Sequence, residues 1–156
     1  MKMNQQDLVA IAHTIIDSNM YMVLGTADVS GQPWVSPVYY AASEYTEFYW
    51  VSSPEVRHSR NIAVRSQISI VIFDSQAVIG TGQGVYMSAI AEELTVVDLE
   101  RGIEIFSRSS LAHAGREWKP EDVGETTLYR LYRATALEHW VRDPVGRPDH
   151  RTPVRM

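Results

Sequence analysis

With 156 residues, 45% of them hydrophobic, the chain has the size of one ordinary domain and enough apolar material for a continuous core. Fourteen Lys plus Arg against 19 Asp plus Glu leave a formal charge of -5, which gives no broad basic surface for a nucleic-acid backbone. There is no cysteine, which excludes disulfides, thiolate metal sites and cysteine nucleophiles.

Asn4 to Asp7 are polar where a signal peptide needs an apolar run. No stretch approaches the ~18 uninterrupted apolar residues of a membrane helix, so a cytoplasmic protein is the expectation. Leu8, Ile11, Ala12, Ile15 and Ile16 recur at helical spacing and predict an amphipathic helix over about residues 5–18, with Asn19 past its end. Its apolar stripe needs a sheet to cover. The texture then becomes β-rich: Met20 to Ala27, a turn at Ser30-Gly31-Gln32-Pro33, Trp34 to Tyr40, and Glu47 to Ser52, read as two hairpins.

Ser52-Ser53-Pro54-Glu55 is a helix start, whether Ser52 caps in a box with Glu55 or Ser53 caps with Pro54 at the first position. That helix is expected to run to about Arg65. Ile68, Ile70 and Ile72 on one face, with Ser69, Val71 and Phe73 on the other, read as a central strand nearly apolar on both sides. Gly80, Gly82 and Gly84 loosen the chain before a strand over about 83–93; helical periodicity covers 96–106, an irregular cover 111–122, and a last strand 128–141. The segment with Asp143-Pro144, Gly146, Pro148, Pro153 and several arginines is too polar to pack alone, so it is either disordered or laid across something. About six strands joined largely by hairpins, with peripheral helices, fit a mainly β, α+β small antiparallel barrel better than a doubly wound sheet.

The chemistry-bearing constellation is Arg57-His58 on the first turns of the second helix, with Arg60 and Arg65 behind it. A helix beginning that carries a fixed cation suits a phosphate, because unpaired backbone N–H groups, the helix dipole and a guanidinium all favour an anion there. Ser52 and Ser53 add hydroxyl or N–H donors. The plainer alternative is a solvated basic face with the serines merely capping. Likewise Trp34, Tyr39, Tyr40, Tyr45, Phe48, Tyr49, Trp50 and Tyr86 are either a wall for a planar ring or ordinary core, and strand alternation lets only one of the sets Phe48/Trp50 and Tyr49/Val51 line a site. The five histidines show no pair at metal-ligand spacing. Gly80-Thr81-Gly82-Gln83-Gly84 lacks the lysine and following helix of a P-loop, and no serine sits in a nucleophile-elbow context.

The order Gly31-Gln32-Pro33-Trp34-Val35-Ser36-Pro37-Val38-Tyr39-Tyr40, then Phe48-Tyr49-Trp50-Val51-Ser52, then Arg57-His58-x-x-Asn61-Ile62, then Ile68 to Asp74, resembles the pyridoxamine 5'-phosphate oxidase-like superfamily of FMN-binding split β-barrels. The resemblance covers nearly the whole chain. It implies a homodimer with two FMN sites at the interface, Ser36, Val38, Val51 and Ser52 contacting flavin and ribityl, Trp50 counted with them, and Arg57 and His58 holding the phosphate. Lysine is more usual in the family at the position of His58. Glu138-His139-Trp140 and Arg147-Pro148-Asp149-His150-Arg151 look similar to a C-terminal segment that reaches the partner's flavin in true oxidases, which would place Trp140 and Arg151 in the neighbour's site. The histidine is displaced by one position.

Two departures bear on activity. Ala41 stands where true oxidases have a lysine, and Ile105 falls near the tyrosine of their substrate-phosphate set, leaving only Arg108 close by. The expectation is therefore an FMN-dependent oxidoreductase acting on an unidentified small molecule, with the pyridoxamine-phosphate pocket incomplete. The alternatives are a non-catalytic flavin or deazaflavin carrier and a cofactor-free dimeric barrel.

Overall fold

A computed structural model describes residues 3–143 and 147–156; the expected turn at Pro144 and Gly146 lies outside the described residues. Among these, α1 (Gln5–Ser18), α2 (Arg57–Val64) and α3 (Leu99–Ala112) surround one antiparallel sheet of eight strands: β1 (Tyr21–Ala27), β2 (Pro33–Tyr39), β3 (Ala41–Ser43), β4 (Glu47–Ser52), β5 (Gln67–Phe73), β6 (Gly84–Leu94), β7 (Arg130–Arg142) and β8 (Arg151–Val154). The sheet order is β2-β1-β5-β6-β7-β4-β3, with β8 on β7. This is the mainly β, α+β half-barrel expected from the sequence.

The count is eight strands rather than six. The two additional strands are three and four residues long, too short for alternation to announce them. The second hairpin also changes partner: β4 pairs with the short β3, while β2 pairs with β1 at the far end of the sheet. The segment from Tyr39 to Ala41 thus carries the chain from one sheet edge to the other, and the strand order leaves β2 and β4 with no ladder between them.

Each helix is placed by local chemistry. Asn4 caps α1 in a box with Asp7, at the start expected from the sequence, and Leu8, Ala12, Ile15 and Ile16 enter the main core with Met22, Leu24, Trp50, Ile70 and Met87. Instead of starting at Ser52 or Ser53, α2 starts at Arg57 after Val56, without a side-chain cap. The Ser53 hydroxyl accepts from the Glu55 amide at 3.2 Å and closes a local turn, a competitor to helix that serine commonly provides. The third helix also begins later than expected, after Asp98 at φ 64°, and runs to Ala112. It covers a second cluster of Tyr49, Leu94, Ile103, Phe106, Val123 and Leu131 on the outer face of β3, β4 and β7.

Among the described residues, no helix covers the opposite half of that outer face. β5 is central, between β1 and β6, but only Ile68, Ile70 and Ile72 are buried; Ser69 and Phe73 face solvent and Val71 is half-buried. Directly paired residues share a face, so Pro37, Val23, Val71, Tyr86 and Trp140 form one row across five strands. Val35 is 68% exposed, Tyr21 58% and Phe73 46% on the same side, an open apolar surface on an otherwise covered sheet.

Candidate functional site

The sheet edge formed by β2, the end of β4 and the start of α2 converge at one place. Alternation along β2 puts Trp34, Ser36 and Val38 on the inner face, opposite Thr26, Leu24 and Met22 of β1. Val38 is buried in the core, Ser36 is half-buried and Trp34 is exposed, so this inner face opens progressively toward the β1–β2 turn. Arg57, the first residue of α2, lays its guanidinium over the Trp34 ring at 4.2 Å from the centroid.

Beside this stack lies a pocket of about 250 Å³ lined by Asp28, Gln32, Pro33, Trp34, Arg57, Arg60 and Asn61. Among the described residues neither Arg57 nor Arg60 makes an ion pair with a carboxylate. Asp28 also lines the pocket, but its carboxylate accepts from the Ser30 hydroxyl and amide and from the Gln32 amide, which hold it below the usual carboxylate range and fasten the β1–β2 turn. Gly31 in that turn sits at φ 88°, where a side chain is strained. On the helix side, Asn61 is buried and donates to Thr26 Oγ1 at 3.0 Å, tying α2 to β1.

His58, the second residue of α2, reaches two strands at once. Its ring is 7% exposed, with Nδ1 3.1 Å from Ser36 Oγ and Nε2 2.9 Å from Ser52 Oγ, and burial pushes its pKa below the ordinary value. Both ring nitrogens are engaged with serines, and the ring is not among the residues that line the Arg57 pocket. Trp50 is fully buried, stacked on Tyr132 at 5.5 Å between ring centroids, and belongs to the core. Val51 points to the other side of β4, against the cluster under α3.

Trp140 and Arg151 stand apart from this group. Trp140 pairs with Tyr86 on one side and Pro153 on the other, and the Arg151 guanidinium lies 4.2 Å from the Tyr86 ring centroid. These three side chains belong to the open outer face, whereas Ser36 and Trp34 belong to the inner one. A single chain therefore brings together Ser36, Ser52, Arg57 and His58, and does not bring Trp140 or Arg151 to them. The C-terminal residues 151–154 pair antiparallel with β7 of their own chain, and Gln5 of α1 clamps them through Pro153 O and the Arg155 amide.

Trp34, Arg60, Asn61 and Asp28 also line the pocket; the sequence put Trp34 in the aromatic set and Arg60 behind Arg57, but assigned none of the four to the cofactor. The signal was present for Trp34, two positions from Ser36 and hence on the same strand face. The positions that depart from the true oxidases are apolar in the structure as well: Ala41 is buried, and Ile105 packs against the cluster under α3. Among the described residues no group of His, Asp or Glu could hold a metal ion, and no helix is long and apolar enough to cross a membrane.

Several solved structures share this architecture. The chain superposes on the heme storage protein HutZ from Vibrio cholerae with a TM-score of 0.65 at 16% identity, covering 83% of this chain and 89% of that one. A heme binding protein from Mycobacterium smegmatis gives 0.74 at 18% identity over 99% of this chain but only 59% of that longer one. An F420 reductase gives 0.60 at 11% identity, covering 81% of this chain and 94% of that one. At these identities the likeness is one of fold. No curated protein matches the sequence. The family profile described as pyridoxamine 5'-phosphate oxidase matches residues 10–128, more than three-quarters of the length and all of the elements from β1 through α3, and the chain belongs to that family.

Proposed function

We propose that the chain is an FMN-dependent oxidoreductase acting as a homodimer on a small molecule, with the FMN phosphate held at the start of α2. The observation that carries this reading is the Arg57 guanidinium stacked on Trp34, without a carboxylate partner among the described residues, beside a pocket that also presents Arg60. A phosphate dianion fits this donor set: two guanidinium groups, the outward N–H groups of a helix N-terminus and the Gln32 side chain. The neighbouring carboxylate of Asp28 is occupied by its own turn. When bound, FMN supplies the hydride or electron chemistry.

The protein's contribution is binding and orientation. Ser36 and Ser52 offer hydroxyls from two strands, and Arg57 neutralises charge. The isoalloxazine ring needs a second wall, which the open face around Tyr21, Val35, Phe73, Tyr86 and Trp140 would obtain by pairing with another copy. In that dimer Trp140 and Arg151 would serve the neighbour's site. Ala41, buried where true oxidases have a lysine, and the half-buried Ile105, which leaves only Arg108 of the substrate-phosphate set close by, argue against pyridoxamine phosphate as substrate.

A second reading, a non-catalytic flavin or deazaflavin carrier, is favoured by the incomplete substrate-binding set; the fold shared with an F420 reductase bears only on the identity of the cofactor. The absorption spectrum and the mass of the ligand released from purified protein test both. Flavin bands support the shared cofactor reading, and anaerobic reduction by NADPH or NADH followed by reoxidation with candidate acceptors separates enzyme from carrier. A colourless protein that takes up neither added FMN nor a deazaflavin, or a Soret band in place of flavin bands, rejects both.

A further inference from the structure

We infer that His58 is a positioning residue, a latch across the split of the barrel that joins Ser36 of β2 to Ser52 of β4 and aims both hydroxyls at the ligand. The strand order places β1, β5, β6 and β7 between β2 and β4, so no main-chain ladder fixes the distance between them. The imidazole supplies what the ladder does not. Nδ1 lies 3.1 Å from Ser36 Oγ and Nε2 2.9 Å from Ser52 Oγ, and α2, which carries the ring, is itself held to β1 by the Asn61–Thr26 hydrogen bond of 3.0 Å.

The chemistry of a neutral imidazole makes this arrangement directional. One nitrogen donates and the other accepts, so one serine accepts from the ring while the other donates to it. The accepting serine keeps its O–H for a ligand oxygen, and the donating serine keeps lone pairs for a ligand hydroxyl or N–H. A phosphorylated polyol chain such as ribityl phosphate presents both kinds of group. The ring thereby holds both hydroxyl oxygens in place, leaving one O–H free to donate and turning the other oxygen into an acceptor, across a gap that would otherwise breathe. Arg57 is left as the direct cation for the phosphate.

The part concerning the ligand rests on the FMN reading; the latch itself does not. The test compares wild type with His58→Phe, which keeps ring volume without polar atoms, with His58→Asn, which restores a group near the Nδ1 position, and with His58→Gln, which restores one near Nε2. Amide hydrogen exchange of the ligand-free proteins reads the seam, and titration with FMN followed by flavin fluorescence reads the aim. Two lost hydrogen bonds of ordinary strength predict that His58→Phe weakens FMN by about tenfold or more and speeds exchange in β2 and β4 relative to β5 and β6. Asn or Gln is expected to recover part of each effect.

Unchanged exchange in His58→Phe overturns the latch, and FMN affinity within about twofold of wild type overturns the aiming role. If wild type itself takes up no FMN, the cofactor reading fails and the exchange comparison alone decides the latch. If His58→Phe does not fold, the double variant Ser36→Ala, Ser52→Ala replaces it, since it removes the hydroxyls and leaves the ring. The same losses are expected there, and wild-type behaviour in both readouts overturns the inference.

Discussion

Arg57 and Trp34 illustrate how a single contact can serve a site before any ligand arrives. An exposed guanidinium over an indole gains about 0.5–1 kcal/mol, small enough to release yet sufficient to hold the arginine at the pocket rather than in bulk water. Arg57→Ala is expected to weaken FMN by roughly tenfold to a hundredfold, the worth of about 1.5–3 kcal/mol for a charged hydrogen bond, as read by fluorescence titration. Trp34→Ala, which removes only the support, is expected to cost about two- to fivefold. Equal losses for the two variants would mean that Trp34 itself contacts the ligand.

The buried histidines set a pH dependence at the same scale. His58 and His139 both have pKa values lowered by burial, and His139 donates through Nε2 to Tyr45 O at 2.9 Å. Above about pH 6.5, the ordinary value, neither the folded nor the unfolded chain protonates these rings, and their contribution to stability is complete. Below it the unfolded chain takes up protons first, so stability falls as pH drops toward the folded-state values. Urea midpoints should therefore decline from neutral to mildly acidic pH, and the decline should flatten in a His58→Gln, His139→Gln variant. A double variant with the same slope as wild type would assign the effect to other groups.

Among the elements, α3 shows how a close approach is encoded. A Cβ on Gly102 would lie 2.9 Å from Tyr49 Cε1, 3.0 Å from Leu131 Cδ2 and 3.1 Å from Leu94 Cδ1, so the helix rests on β4, β6 and β7 with no room for a side chain. Gly102→Val is expected to lower stability by about 1–3 kcal/mol, the usual cost of overpacking, measured as a fall in Tm. β8 makes the complementary case. Val154 is 5% exposed in the main core, so Val154→Asp buries a charge and should free the tail; faster amide exchange in both α1 and β8 would report the loss of their shared Gln5 clamp.

For the whole molecule, the proposed dimer puts its contact on the open outer face. Two glutamates introduced there, Val35→Glu and Phe73→Glu, change residues that are already 68% and 46% exposed and should leave the isolated fold intact. In the proposed dimer they desolvate charge at the interface, so sedimentation should shift toward monomer and FMN affinity should fall with it. A variant that remains dimeric and binds FMN as wild type would place the subunit contact elsewhere.

How much of this was legible in the chain differs by element. The amphipathic stripe of α1, the positions of β1, β2, β4, β5 and β6, and the turn at Ser30 to Pro33 follow from local sequence, because each depends on the spacing of apolar residues or on turn-forming residues; that only one face of β5 is buried, and that the Asp28 carboxylate fastens the turn, came from the structure. The order of motifs also carried the family, and Arg57 was picked out because a cation at a helix start has a specific physical use. What the chain alone could not give is whatever depends on which surfaces meet. The start of α2 moved because the Ser53 hydroxyl found a nearer amide; Trp50 was lost to the core because Tyr132, far along the chain, stacks on it; and His58 became a bridge because the curl of the sheet brings Ser36 and Ser52 to opposite sides of one ring. Periodicity and capping act within a turn or two of their own residues, whereas a seam between strands that share no ladder exists only once the four intervening strands have curled, so tertiary structure alone decides which residues line it.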